Sequence, residues 1–357
     1  MAYTTINKSS LHHDGKTYLG SSSAVTVTGL EFQPDLVWVK DRDNGNNHCL
    51  VDAVRGVGKY ILSNLTAAET NNSTKSISAF TSDGFTTGTA NPANESASTT
   101  KGFMSWNWKA NGAGSSNTDG NNITSTVSAN TTSGFSIVKY TGTGSASDTI
   151  GHGLGVKPAM VIMRPLSYSG AWWIVHKDLT ADNVLEFNTN AQANISTFGG
   201  GGLKYSTFTT SVIGGGNGSS DSGLWNGSGQ DYIAYCFADV VGYSKFGTYE
   251  GNGTSADGTF VYLGFKPEFF ICKKANGTSG WMWFDNTRRT YNLNQTWLYP
   301  NTADAESTNS TLGMDFVSNG VKHRNQWGDA NDSSSTYIYM AFGQSLVGSN
   351  NVPCTAR

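Results

Sequence analysis

A proline-led apolar strand is written three times in this chain, and the interval between copies limits what the chain can fold into. Phe32-Gln33-Pro34-Asp35-Leu36-Val37-Trp38-Val39-Lys40 returns as Val156-Lys157-Pro158-Ala159-Met160-Val161-Ile162-Met163-Arg164. It returns again as Phe265-Lys266-Pro267-Glu268-Phe269-Phe270-Ile271-Cys272-Lys273. Each copy has a large apolar residue two places before the proline, then one intervening residue, an apolar run and a cation. Proline cannot donate to a β-ladder and suits the first residue of a strand. An apolar run with neither face polar reads as a strand covered on both sides.

Neighbouring features recur in the same order. Tyr18-Leu19-Gly20 matches Tyr140-Thr141-Gly142 and Tyr249-Glu250-Gly251 upstream. Downstream, His48-Cys49-Leu50-Val51-Asp52 matches Trp172-Trp173-Ile174-Val175-His176 and Trp281-Met282-Trp283-Phe284-Asp285. The aromatic runs 103–108, 232–237 and 337–342 close the three copies. The prolines lie 124 and 109 residues apart, too long for a solenoid unit of roughly 20–50 residues but the size of a small domain. The expectation is an all-β protein of three tandem β-sandwich modules, jelly-roll or lectin-like. The divisions are a lead-in at 1–16, a first module at 17–110 and a Gly/Ser/Asn/Thr-rich linker at 111–132. A second module at 133–241, a third at 242–347 and a tail at 348–357 complete the chain.

Composition agrees with packed β-cores joined by polar loops: 12% of residues are aromatic, 14% are charged, and there are 43 glycines. The net charge of −3 gives no basic face for a phosphate backbone, so nucleic acid is not an expected partner. No apolar run is long enough to span a bilayer, and Met1–Ile6 lacks the basic and apolar regions of a secretory signal. Cys49, Cys236, Cys272 and Cys354 show no zinc or disulfide spacing and read as free thiols.

The candidate chemistry is thin. Lys40 and Lys273 end two proline strands while Asp52 and Asp285 end the returning strands, which suggests two cross-strand charge pairs. Asp178 is the substitute partner for Arg164, because His176 holds the acidic position in the second copy. Arg55 and Arg288 follow the two aspartates by three residues. His12-His13-Asp14 reads as a solvated arm without a third metal ligand, and Asp41-Arg42-Asp43-Asn44-Gly45 as a turn rather than a calcium loop. No nucleophile elbow, HExxH or P-loop occurs, so no catalysis, cofactor or metal is expected. Trp172, Trp173, Trp281, Trp283, Trp297 and Trp327 are the candidates for stacking on sugar rings, with core or interface as the competing role.

The first copy also carries Asp52-Ala53-Val54-Arg55-Gly56, Ser63-Asn64-Leu65-Thr66-Ala67-Ala68-Glu69 and Phe80-Thr81-Ser82-Asp83-Gly84-Phe85. With the Phe32–Lys40 strand and the Phe103–Trp108 strand, this resembles a module of uncharacterised virion proteins of tailed bacteriophages, common in marine phages. The resemblance covers about a third of the chain closely and the rest partially. It implies a virion structural protein made in the host cytoplasm, related to the tail or tail fibre, with no catalytic residue. The expected partners are further copies of the chain, a trimer foremost, other tail or capsid proteins, and a host surface glycan. The alternative is a head decoration or head-fibre protein on the capsid lattice.

Overall fold

The computed structural model describes residues 4–179, 182–193, 202–215 and 223–346. The protein is all-β. Among the described residues the only α-helix is one turn, Gly223–Asn226. The segment 348–357, Cys354 and Gly199-Gly200-Gly201 lie outside the described residues.

Three antiparallel sheets share one strand order. The first is built from β1 (His13–Tyr18), β2 (Leu36–Asp41), β3 (Cys49–Asp52) and β4 (Phe103–Trp108), in the spatial order β1-β4-β2-β3. The second contains β5 (Phe135–Thr141), β6 (Met160–Pro165), β7 (Trp173–His176) and β8 (Asp231–Phe237), in the order β5-β8-β6-β7. The third contains β9 (Ser244–Glu250), β10 (Lys266–Lys274), β11 (Met282–Asp285) and β12 (Thr336–Gln344), in the order β9-β12-β10-β11. One aromatic pair recurs at matched ladder positions. Tyr18 stacks on Phe103, Tyr140 on Tyr232 and Tyr249 on Tyr337, with ring centroids 5.2, 5.3 and 5.0 Å apart. Each of these tyrosine hydroxyls donates to a backbone carbonyl, of Ala93, Trp225 and Ala330 in turn.

The proline strands are apolar on both faces because each face meets a different core. Side chains alternate along a strand. Leu36 and Trp38, Met160 and Ile162, and Phe269 and Ile271 enter one central cluster. Val37 and Val39 enter a separate outer cluster, as do Val161 and Met163, and Phe270 and Cys272. Each outer cluster is roofed by short strands: 26–27, 77–81 and 84–87 over the first sheet; 149–151 and 212–214 over the second; 260–262, 314–317 and 320–323 over the third.

The central cluster joins all three sheets, so they are not tandem beads. Trp108, Phe237 and Phe342 occupy the same place in β4, β8 and β12. Their rings form a nearly equilateral triangle with centroid separations of 6.4, 6.0 and 6.0 Å. Two expected boundaries move. His13–Lys16 is not lead-in but most of β1, and the linker at 111–132 holds strands 115–117 and 125–130, which extend the second sheet through β5. The hydroxyl- and amide-rich composition concealed them because the buried residues of 125–130 are Ser125, Val127 and Ser128, of which one alone is apolar.

Candidate functional site

The acidic positions ending β3 and β11 form matched turns. Arg55 Nε donates to Asp52 Oδ2 at 2.5 Å, and Arg288 Nε donates to Asp285 Oδ2 at 2.6 Å. Each backbone N–H of these arginines donates to the other carboxylate oxygen at 2.8 Å. Each guanidinium also reaches a carbonyl of its returning strand, Leu50 or Trp283, and a glutamate, Glu69 or Glu306. The side chains of Asp52, Arg55 and Arg288 are wholly enclosed.

A partner from the next sheet completes each turn. Tyr235 of β8 donates its hydroxyl to Asp52 Oδ2 at 2.8 Å, and Trp106 of β4 donates Nε1 to Asp285 Oδ2 at 3.1 Å. The matching residue of β12 is Met340, which has no strong donor. The second sheet correspondingly carries His176 and Leu179 in place of the Asp–Arg pair. His176 Nδ1 accepts from Asp178 N at 3.2 Å, and Nε2 faces the Tyr339 carbonyl at 3.4 Å. The first sheet leans on the second, the second on the third and the third on the first. These carboxylates lock a seam, with every oxygen engaged by a donor of the protein itself.

The expected pairs Lys40–Asp52 and Lys273–Asp285 do not form. In the antiparallel register Leu36 lies opposite Asp52 and Phe269 opposite Asp285, so each lysine sits at the far end of its hairpin. Lys40 Nζ instead donates to the carbonyls of Asp41 and Asn44, and Lys273 Nζ to those of Lys274 and Gly277. Burial pulls both lysines down to about 8. Arg164 is not served by Asp178; it donates to the carbonyls of Leu62, Leu65, Thr66 and Ala67 beside the first sheet.

Two further expectations resolve from their surroundings. Asp41 accepts N–H groups from Asp43, Asn44 and Asn46, and Asp43 accepts those of Thr100, Lys101 and Gly102. That is a turn lock, with the carboxylates already spent. His13 is no solvated arm: it is buried among Trp108, Phe269 and Phe342. A small cavity of about 130 Å³ beside it is lined by Asp14, Trp106, Glu268 and Asp285.

Buried histidines make the fold acid-sensitive. Burial lowers His13, His176 and His323 to about 3 and His152 to about 4, and His48 is lowered too. A folded pKa below the unfolded one gives stability that is present above about 6.5 and is lost as pH falls. Glu268, raised by burial to about 7, acts the other way, since its contribution is lost as pH rises from about 4.5 to 7. The imidazole shifts, which His12 joins, outweigh that of Glu268 together with the lesser rises that burial gives Asp14, Asp35, Asp178 and Glu186. The melting temperature should fall steadily from pH 7 to pH 4, as followed by circular dichroism; a flat profile would contradict the burial of these imidazoles.

The tryptophans expected to stack on sugars are mostly sealed. Trp172, Trp173, Trp281, Trp283 and Trp297 are buried, and a buried indole has no free face for a ring. Trp172 Nε1 donates to the Leu62 carbonyl at 2.9 Å, and Trp283 lies 3.9 Å from Trp106, centroid to centroid. Trp327 is half-buried and packs edge-on against Trp297 at 4.6 Å. Trp281 and Trp283, which alternate in the sequence, both enter the central cluster.

Among the described residues the most exposed aromatic is Tyr291, at 80%, which escaped the sequence reading. It borders a surface cleft of about 550 Å³ lined also by Lys266, Asn286, Arg289, Asn292 and Phe316. The signal for it was spacing. Ile61, Leu185 and Leu298 pair with Leu50, Ile174 and Trp283, matched residues of the three returning strands. Ile61 and Leu185 each follow the acidic position, Asp52 or His176, by nine residues, whereas Leu298 follows Asp285 by thirteen. The loop holding Tyr291 is the long one.

A family model described as a domain of unknown function, DUF7483, matches residues 8–345. No curated protein matches the chain, and no solved structure does.

Proposed function

The chain belongs to the DUF7483 family, and we propose that it is a structural protein of a tailed-bacteriophage virion, carried on a tail fibre, spike or knob that meets the host surface. The observation that carries this reading is the closure of three like-ordered sheets on one core. We infer three copies of one β-module, giving a single-chain counterpart of a trimer. Such a body suits an assembly that presents equivalent contacts around an axis. Its work is mechanical and adhesive: the recurring Asp–Arg pairs are spent on the seams, and Lys40 and Lys273 on carbonyls of their own hairpins.

A second reading, a head decoration or head-fibre protein on the capsid lattice, draws on the same approximate threefold symmetry. Immunogold labelling of intact particles with antibody against residues 131–241 separates the two. Gold on the tail or its appendages is the expected result. Gold spread over the head would replace the first reading by the second, and particles free of gold would remove both.

A further inference from the structure

We propose that the cleft around Tyr291 binds an acidic sugar, a ring bearing a carboxylate within a surface polysaccharide; this rests on the host-contact reading above. The cleft's named lining includes two cations, Lys266 and Arg289, and no carboxylate. An anion therefore enters without repulsion, and a guanidinium can hold a carboxylate through two parallel hydrogen bonds. Tyr291 supplies an open ring face, the surface on which the apolar face of a sugar packs. Charge and ring together specify an acidic sugar better than a bare phosphate or a neutral hexose.

The loop is built to hold this shape. Asn292 Nδ2 donates to the Phe316 carbonyl at 3.0 Å, and Phe316 N–H donates to Asn292 Oδ1 at 2.9 Å. That leaves the amide one hydrogen and one lone pair for a ligand. Asn294 exchanges backbone hydrogen bonds with Met314 at 2.9 and 3.0 Å, and its side chain donates to the Asp285 carbonyl. Arg288, locked to Asp285, fixes the other end. The segment from Asp285 to Leu298, which contains these anchors, is four residues longer than its counterparts from Asp52 to Ile61 and from His176 to Leu185, so the elaboration falls where the cleft lies. A preorganised loop loses less freedom when it binds.

The test is saturation-transfer NMR on the full chain with D-glucuronate and D-glucose as probes. Glucuronate should bind at least tenfold more tightly than glucose. Tyr291→Ala and Arg289→Ala should each weaken it tenfold or more, while Tyr291→Phe keeps it. Both residues are exposed, so an unchanged melting temperature certifies the fold of each variant. Equal binding of the two sugars, binding indifferent to the variants, or no transfer to either sugar would overturn the site. Gold on the tail beside a blank sugar titration would remove the site alone; gold on the head would remove the reading beneath it.

Discussion

Asp285→Ala is expected to destabilise the protein by about 3–5 kcal/mol, the range for breaking a buried ion pair from one side. The substitution leaves the enclosed Arg288 with Glu306 and a carbonyl, and strips Trp106 Nε1 of its acceptor across the seam. Trp106→Phe removes only the cross-sheet donor and should cost about 1–3 kcal/mol, the scale of one lost buried hydrogen bond. The second seam offers the converse experiment. His176→Asp would bury a carboxylate beside Leu179 and Met340, with neither the arginine nor the donor that the other two seams supply. That variant should fail to fold, and adding Leu179→Arg with Met340→Tyr should recover part of the loss. Urea titrations measure all of these. A loss below about 1 kcal/mol for Asp285→Ala would put the seam among surface ion pairs, which contribute little.

Val37→Asp, Val161→Asp and Phe270→Asp should each cost several kcal/mol, since each side chain is fully buried in an outer core with no partner for a charge. The shared centre makes the damage general. The strand that carries Val37 also sends Leu36 and Trp38 into the cluster containing Phe237 and Phe342. Losing that strand exposes the faces of the other two sheets, so one transition should unfold the whole chain. Hydrogen exchange on Val37→Asp reads this directly, with β5–β12 losing protection together with β1–β4. A second and third sheet that stay protected in that variant would mean three separable domains.

The proline strands were legible because both their faces are apolar, and that same property hid the architecture. A strand such as Leu36-Val37-Trp38-Val39 does not say which alternate residues face a roof of its own and which face a neighbour's sheet. Nothing local distinguishes Trp38 from Val37. The charge pairs were misassigned for a reason of direction. Lys40 and Asp52 both end strands, but antiparallel strands end on opposite sides, so equal positions along the chain are distant in space. His13 was misread because His-His-Asp looks hydrophilic, whereas a neutral imidazole packs readily among aromatic rings. Tyr291 was obscured by the tryptophans, whose size drew notice to residues that serve the core.

Ser9 N–H donates to Gln344 Oε1 at 2.7 Å, so the two ends of the family-matched region touch. Carrying three like-ordered sheets in one polypeptide also lets each vary by itself. A homotrimer must change all three faces at once, whereas this chain can lengthen one loop and keep two as they were.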